Sequence, residues 1–193
     1  MLADKEDDRT IYSILNCDNF FVMDFIIRKD VKATSIRKTK DDNNSTKFIV
    51  LAFFITLTSA ELLNYYKVGK LDNPTIAKIA LVFMFLGLII RIYSMLKLKN
   101  SYTRTLLTTE QQKLISTGLY KIIRHPGYLG TILIWAFFGF AIKNYIVAII
   151  GISLTFIAYS YRIKNEEKML LHQFGQQYKD YQKRTWKIVP HIW

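Results

Sequence analysis

The chain has 193 residues, 51% of them hydrophobic and 15% aromatic, and a formal net charge of +12. That length fits one domain, and the apolar residues come in blocks with the basic residues between them, which is the layout of a polytopic membrane protein and excludes a nucleic-acid binder with one basic face. The single cysteine, Cys17, excludes an intramolecular disulfide framework and a Cys-based zinc site, and His125, His172 and His191 show no paired metal-ligand spacing.

The N-terminus, MLADKEDDRT, is acidic and lacks the basic start and apolar run of a signal peptide. Residues 11–27 are apolar but carry Asp18, Asn19 and Asp24. A carboxylate at the bilayer centre costs about 2.5–3.5 kcal/mol, so this stretch reads as an interfacial helix, with an extra first span as the alternative. Residues 28–47 form a basic linker suited to lipid headgroups. The first confident span is 48–66, with Glu61 toward its far end in a structural role and Tyr65 and Tyr66 at the interface. A turn at 67–75 leads to a second span, 76–98, in which Lys78 can snorkel and Arg91 lies deeper and needs a partner or the cytoplasmic headgroups.

Residues 99–125 are polar and longer than a turn needs. Two short spans follow, 127–142 and 145–161, joined by Lys143-Asn144 as an antiparallel hairpin. Residues 162–193 are polar and amphipathic. The expected fold is an all-α membrane bundle of four spans, with a fifth possible at 11–27 and a C-terminal helix on the cytoplasmic side. Residues 1–47 form a polar N-terminal segment and 48–193 the membrane domain, whose functional core is 100–193. Orientation follows from the basic residues: 28–47 carries seven Lys or Arg, 97–125 six and 162–193 seven, against two in 67–75 and one in 143–144. The rich segments alternate with the poor ones and face the cytoplasm.

Two polar constellations fall on that rich side. The stretch Leu119–Gly130, LYKIIRHPGYLG, sets Arg124, His125, Pro126 and Tyr128 at a membrane boundary. Pro126 lacks a backbone N–H and biases His125 away from helix, so a helix starts at or just after it, with His125 at its mouth. An interfacial anchor is the plainer reading of an Arg-His pair there. Beyond the fourth span, Arg162 and Glu166 share one helix face, which by itself is also the spacing of an ordinary surface ion pair. Leu170, Phe174, Tyr178 and Tyr181 then recur as a stripe that folds a C-terminal helix over the space between His125, Tyr128 and Arg162. Gly175 allows close approach or a break in that stripe.

These residues resemble a family. Thr117-Gly118-Leu119-Tyr120, the RHPGYLG run 124–130, Glu166-Glu167-Lys168-Met169-Leu170, the FGQQYKDY run 174–181 and Pro190 together are similar to the isoprenylcysteine carboxyl methyltransferase family and the related phospholipid methyltransferases. The likeness covers residues from about 100 to 193, with a looser match in span layout upstream. It implies an integral membrane enzyme that uses S-adenosylmethionine without a Rossmann domain. By motif it implies cofactor contacts at Gln112, Lys113, Leu114, Ile115, Tyr120, His125, Pro126, Gly127, Tyr128 and Glu166, and a substrate-side arginine at Arg162. Gln112 stands where the family often has His, and 11–27 is more polar than the family's first span.

The residues suit that chemistry. Methyl transfer from a sulfonium is an in-line displacement that needs alignment and a dry site, and it calls for no metal. Aromatic faces of Tyr120, Tyr128 and Tyr178 can hold the cation. Glu166 can accept from the cofactor's amino or ribose groups, and His125 and nearby backbone N–H groups can bind its carboxylate. Arg162 can hold a substrate carboxylate. The implied partners are a lipophilic or prenylated substrate and membrane lipids. An amine N-methyltransferase, an NADPH-dependent membrane reductase (the ending YQKRTWKIVPHIW is similar to that of sterol reductases) and a non-catalytic membrane protein stay open as alternatives.

Overall fold

The computed structural model describes residues 44–98 and 114–190. The stretch 11–27, most of the basic linker, and Gln112 and Lys113 lie outside the described residues. Among those described, α1 is Ser45–Tyr65, α2 Pro74–Leu98, α3 Pro126–Ala141, α4 Tyr145–Phe174 and α5 Gln176–Lys183, with a short 3₁₀ turn at Gly118–Lys121. α1 opens at Ser45, inside the segment expected to be linker.

Local chemistry sets the helix ends. Pro74 starts α2, where its missing N–H costs nothing, and the Asn73 side chain accepts from the N–H groups of Thr75 and Ile76. Pro126 starts α3 in the same way. Asn144 caps α4: its Oδ1 accepts from Ile146 and Val147, both at 3.1 Å. Gly175, at φ +51°, ends α4 and separates it from α5.

The span count needs one correction. Three helices, α1, α2 and α4, are long and apolar enough to cross a membrane, and α3 is a shorter apolar helix of 16 residues. The fourth span, expected over 145–161, is the apolar part of a helix that runs 30 residues to Phe174, because the polar segment after Tyr161 has no proline or glycine to stop it before Gly175. The C-terminal helix expected from the aromatic stripe is therefore split: Leu170 and Phe174 belong to α4, Tyr178 and Tyr181 to α5.

The helices pack by letting backbones approach. A Cβ on Gly130 would sit 2.5 Å from the Gly87 carbonyl, and one on Gly87 would sit 2.6 Å from the Gly130 carbonyl, so α2 and α3 cross at this pair. Gly139 lies against the backbone of Ala148 and lets α3 turn back onto α4. Stacked rings lock the layers, Phe83 on Phe137 at 4.5 Å and Phe53 on Trp135 at 4.2 Å. Outward-facing Phe48, Phe54, Val82, Phe85, Ile149 and Ile157 are exposed, a surface that only an apolar solvent accommodates. The described chain is thus an integral membrane bundle.

Its two ends differ. At one, the turns poor in basic residues meet: Tyr145 N–H donates to the Gly69 carbonyl and Leu71 N–H to the Lys143 carbonyl. Buried Asn144 ties them further by donating to Asn64 and to the Val68 carbonyl. At the other end gather the start of α1, the end of α2, the start of α3 and the polar half of α4. Arg91 finds the expected partner, donating to the Thr131 hydroxyl one helix over. Glu61 is exposed on α1.

Candidate functional site

The polar end of the bundle is built on a knot between the segment entering α3 and the C-terminal segment. Arg124 N–H donates to the Trp186 carbonyl, His125 N–H to the Lys187 carbonyl, and Trp186 N–H back to the Ile122 carbonyl. These bonds hold the residues just before Pro126 against the C-terminal segment, with His125 at φ −124° and ψ 56°, outside the helical region that the proline disfavours. The carbonyl of His125 then accepts from Tyr128 and Leu129, which starts α3. Tyr181 of α5 completes the knot, its hydroxyl donating to the Tyr120 carbonyl at 2.6 Å.

His125 is 5% exposed and its ring stacks on Tyr128, centroids 5.5 Å apart and planes within 7°. Its Nε2 lies 3.4 Å from Glu167 Oε1 and its Nδ1 3.7 Å from Glu166 Oε2. The ring is held between consecutive carboxylates of α4. Arg124 reaches the same Glu167 oxygen through Nε at 2.8 Å. Its Nη1 donates to the carbonyls of Gln182 and Thr185 in the C-terminal segment. Glu167 lies beyond the apolar stretch of α4, which ends at Tyr161. Burial pushes its carboxyl up, but the hydrogen bonds and charges of His125 and Arg124 outweigh that and hold it at about 2.

Arg162 stands one helical turn before Glu166. It is 3% exposed, so it is not a residue of the helix surface. Its Nε donates to the Tyr128 hydroxyl at 3.2 Å, and its Nη1 to Ser45 at 2.9 Å and Thr46 at 3.2 Å in the first turn of α1. The Tyr128 hydroxyl therefore lies between a cation, Arg162, and an anion, Glu166. Tyr159 leans on the same ring at 5.0 Å.

Several polar atoms in this region are buried with no hydrogen-bond partner: Glu166 Oε2, Asn165 Nδ2 and the Tyr178 hydroxyl. Buried polar groups normally find partners, so each unmet one calls for a reason, such as a bound water or ligand. Burial first, and then the carboxylates of Glu167 and Glu166, push the Tyr178 hydroxyl far up, so it keeps its proton and stands as a donor. The unmet atoms amount to one acceptor and two donors with aromatic faces nearby. The Tyr181 hydroxyl is also raised, to about 12, by burial.

Of the residues implied by motif, His125, Pro126, Tyr128, Glu166 and Arg162 come together. Gly127 lies in the first turn of α3 beside Ser94, where an added Cβ would sit 3.5 Å from that side chain. Leu114 and Ile115 are half-buried in the chain leading to the 3₁₀ turn, and Gln112 and Lys113 lie outside the described residues. Tyr120 is buried with its hydroxyl 3.5 Å from the Ser94 carbonyl at the end of α2. Sequence reasoning gave no separate role to Arg124, Glu167, Asn165 or Ser45. Arg124 and Glu167 each adjoin a candidate residue within a motif, and that adjacency was the signal available. Nothing local marked Ser45, because its partner lies more than a hundred residues away.

The chain is similar to known proteins of one family. The family model for the isoprenylcysteine carboxyl methyltransferase family matches residues 79–172. A protein-S-isoprenylcysteine O-methyltransferase of Dictyostelium discoideum is 30% identical over 135 residues, 67% of this chain and 56% of that protein. A probable protein-S-isoprenylcysteine O-methyltransferase of Oryza sativa subsp. indica is 29% identical over 169 residues, 86% of this chain and 84% of that protein. The solved structure of the eukaryotic intramembrane Ras methyltransferase, an isoprenylcysteine carboxyl methyltransferase, superposes with a TM-score of 0.68 at 20% identity, covering 90% of this chain and 63% of that one. The chain thus spans a little over half the length of the Dictyostelium relative and under two thirds of the solved one.

Proposed function

We propose that the chain is a member of the isoprenylcysteine carboxyl methyltransferase family, an integral-membrane, S-adenosylmethionine-dependent methyltransferase whose acceptor is the carboxylate of a lipophilic, prenylcysteine-type substrate. The observation that carries this reading is the pairing of buried Arg162 with Glu166 one turn on, with the Tyr128 hydroxyl between them. Opposite charges at this spacing sort two charged ligands head to head, one carboxylate to the arginine and one cationic or hydroxylated ligand to the glutamate.

S-adenosylmethionine fits the groups left for it. Glu166 Oε2, Asn165 Nδ2 and the Tyr178 hydroxyl are buried and unmet, and His125 and Tyr128 offer stacked ring faces. Gln112, Lys113, Leu114, Ile115, Tyr120, Pro126 and Gly127 remain motif-based candidates for the same ligand. Held there by Glu166, Asn165 and Tyr178, the cofactor would supply a methyl group on a sulfonium for in-line transfer to a carboxylate oxygen, with an ester and a neutral thioether as the products. The protein's own work is positional. Arg162 holds the acceptor carboxylate, and its forked donors suit two oxygens. Tyr128 braces Arg162, and the C-terminal segment roofs the site and keeps water out. The site lies at the end rich in basic residues, which supports a cytoplasmic face for it, with the acceptor's apolar tail in the bilayer.

The test is S-adenosylmethionine titration of the purified protein in detergent, with His125→Ala as control, followed by methyl transfer to an N-acetyl-prenylcysteine. Binding that the control loses, together with ester formation, is the expected result. No binding by folded protein, with NADPH instead raising its melting temperature, would overturn the reading.

A further inference from the structure

Arg124 and His125 are consecutive, and so are Glu166 and Glu167. Consecutive residues on a helix point about 100° apart, so two adjacent carboxylates cannot serve one ligand atom in the same way. Here they divide around one ring. Glu166 faces Nδ1 across 3.7 Å, beyond hydrogen-bond reach, and its Oε2 has no hydrogen-bond partner. Glu167 faces Nε2 at 3.4 Å and meets Arg124 Nε with the same oxygen at 2.8 Å. Glu167 is the more enclosed of the two, 11% exposed in its side chain against 23% for Glu166. One carboxylate is built into the protein, and the other is left toward the open side.

The geometry points to Glu167 as a positioning residue. Acting through Arg124 and His125, it holds the Nε2 edge of His125 in the scaffold and fixes the ring's orientation, and so presents the Nδ1 edge to the cofactor site beside Glu166. This rests on the methyltransferase reading and adds to it a residue that does not itself touch the cofactor. Three observations converge on it. A histidine's ligand-facing nitrogen is set by what its other nitrogen bonds. Arg124 carries the same carboxylate to the Gln182 and Thr185 carbonyls, so the C-terminal segment is tied to the ring's orientation. The His125 backbone is itself tied to that segment through Lys187.

The test has two arms on the full chain in lipid nanodiscs. ¹⁵N-histidine NMR, with His125 assigned by signals lost in His125→Gln, reads the protonated nitrogen without any cofactor. S-adenosylmethionine titration and turnover read the consequence. Glu167→Gln keeps the shared oxygen acceptor and is expected to keep the His125 signature. Glu167→Ala is expected to lose it, to weaken S-adenosylmethionine binding by about tenfold to a hundredfold, and to raise KM for the cofactor while kcat at saturation holds. Because Glu167→Ala strands Arg124 as a buried charge, the double variant Arg124→Met, Glu167→Ala removes both partners and carries the test if the single variant misfolds. An unchanged His125 signature, or unchanged cofactor affinity, in the folded variants overturns the inference alone. Wild-type protein that fails to bind S-adenosylmethionine overturns the methyltransferase reading and this inference with it.

Discussion

Replacing Arg162 with alanine separates the two halves of the proposed site. The guanidinium is 3% exposed and donates to the Tyr128 hydroxyl and to the hydroxyls of Ser45 and Thr46. Those acceptors are neutral, so deleting the arginine leaves no lone buried charge among them. On an acceptor carboxylate, however, it supplies charge-assisted bonds worth about 1.5–3 kcal/mol each. Losing a forked contact then costs about 2–4 kcal/mol of transition-state stabilisation, or about 30- to 1,000-fold in kcat/KM for the acceptor. Arg162→Lys keeps the charge and loses the fork, so it falls between wild type and alanine. Glu166→Ala acts on the other ligand, where loss of a buried charged acceptor weakens S-adenosylmethionine binding by about tenfold to a hundredfold. Calorimetric titration with the cofactor, run beside a tritiated-methyl transfer assay, measures both. The expected pattern is turnover lost with binding kept for Arg162→Ala, and binding lost for Glu166→Ala. Equal loss of cofactor binding in the two variants would refute the division of roles, and full turnover in Arg162→Ala would refute the carboxylate clamp.

Other consequences follow from the packing and the charges. The Glu167 carboxyl is held at about 2 against an ordinary value of 4.5. A lowered carboxyl stabilises the fold fully above its unfolded value and loses that contribution as pH falls toward the folded one. Melting temperature in detergent should therefore drop on acidification from about pH 4.5 downward, and Glu167→Gln should flatten that drop; an equally steep drop in the variant would contradict it. Gly130→Ala sets a methyl 2.5 Å from the Gly87 carbonyl and is expected to cost about 1–3 kcal/mol, read as a lower melting temperature with α2 and α3 pushed apart. Asn144→Ala removes the α4 cap and the tie to Asn64 and Val68, a loss of about 1 kcal/mol for the cap alone. It should lower stability without changing the cofactor dissociation constant, since Asn144 lies at the opposite end from the site.

Much of the fold is written in the sequence in plain form. The spans of α1 and α2 follow from apolar runs, and the start of α3 from Pro126, because proline removes a donor wherever it stands. The alternation of basic-rich and basic-poor connections foretold which ends lie together, and the Gly69–Tyr145 and Arg124–Trp186 backbone bonds join like with like. The end of α4 was harder to read. Hydropathy stops at Tyr161, but a helix needs a breaker and not merely polar residues to stop, and the first one is Gly175. The glycine crossings were equally hidden. Nothing in the neighbourhood of Gly87 or Gly130 says that the two carbonyls face each other, since that closeness belongs to the pair and not to either helix.

The site was legible as a set of residue types and illegible as a division of labour. Tyr128 and Arg162 were expected to face the ligands, yet each also braces the other. Ser45, from a segment read as linker, closes the arginine's far side at full burial. The two motif pairs show why spacing alone cannot settle such roles. Arg124 and His125 lie in a strip held to the C-terminal segment by backbone hydrogen bonds. Glu166 and Glu167 lie on a helix and diverge by about 100°. Where strip and helix meet, one member of each pair turns inward to the scaffold and the other toward the ligand, and which is which depends on how α4 is rotated about its own axis. That rotation is set by Ala148 against Gly139 and by Gly151 against the Trp135 carbonyl, several turns from the chemistry. Small residues toward the far end of the bundle thereby set which glutamate faces the proposed cofactor site.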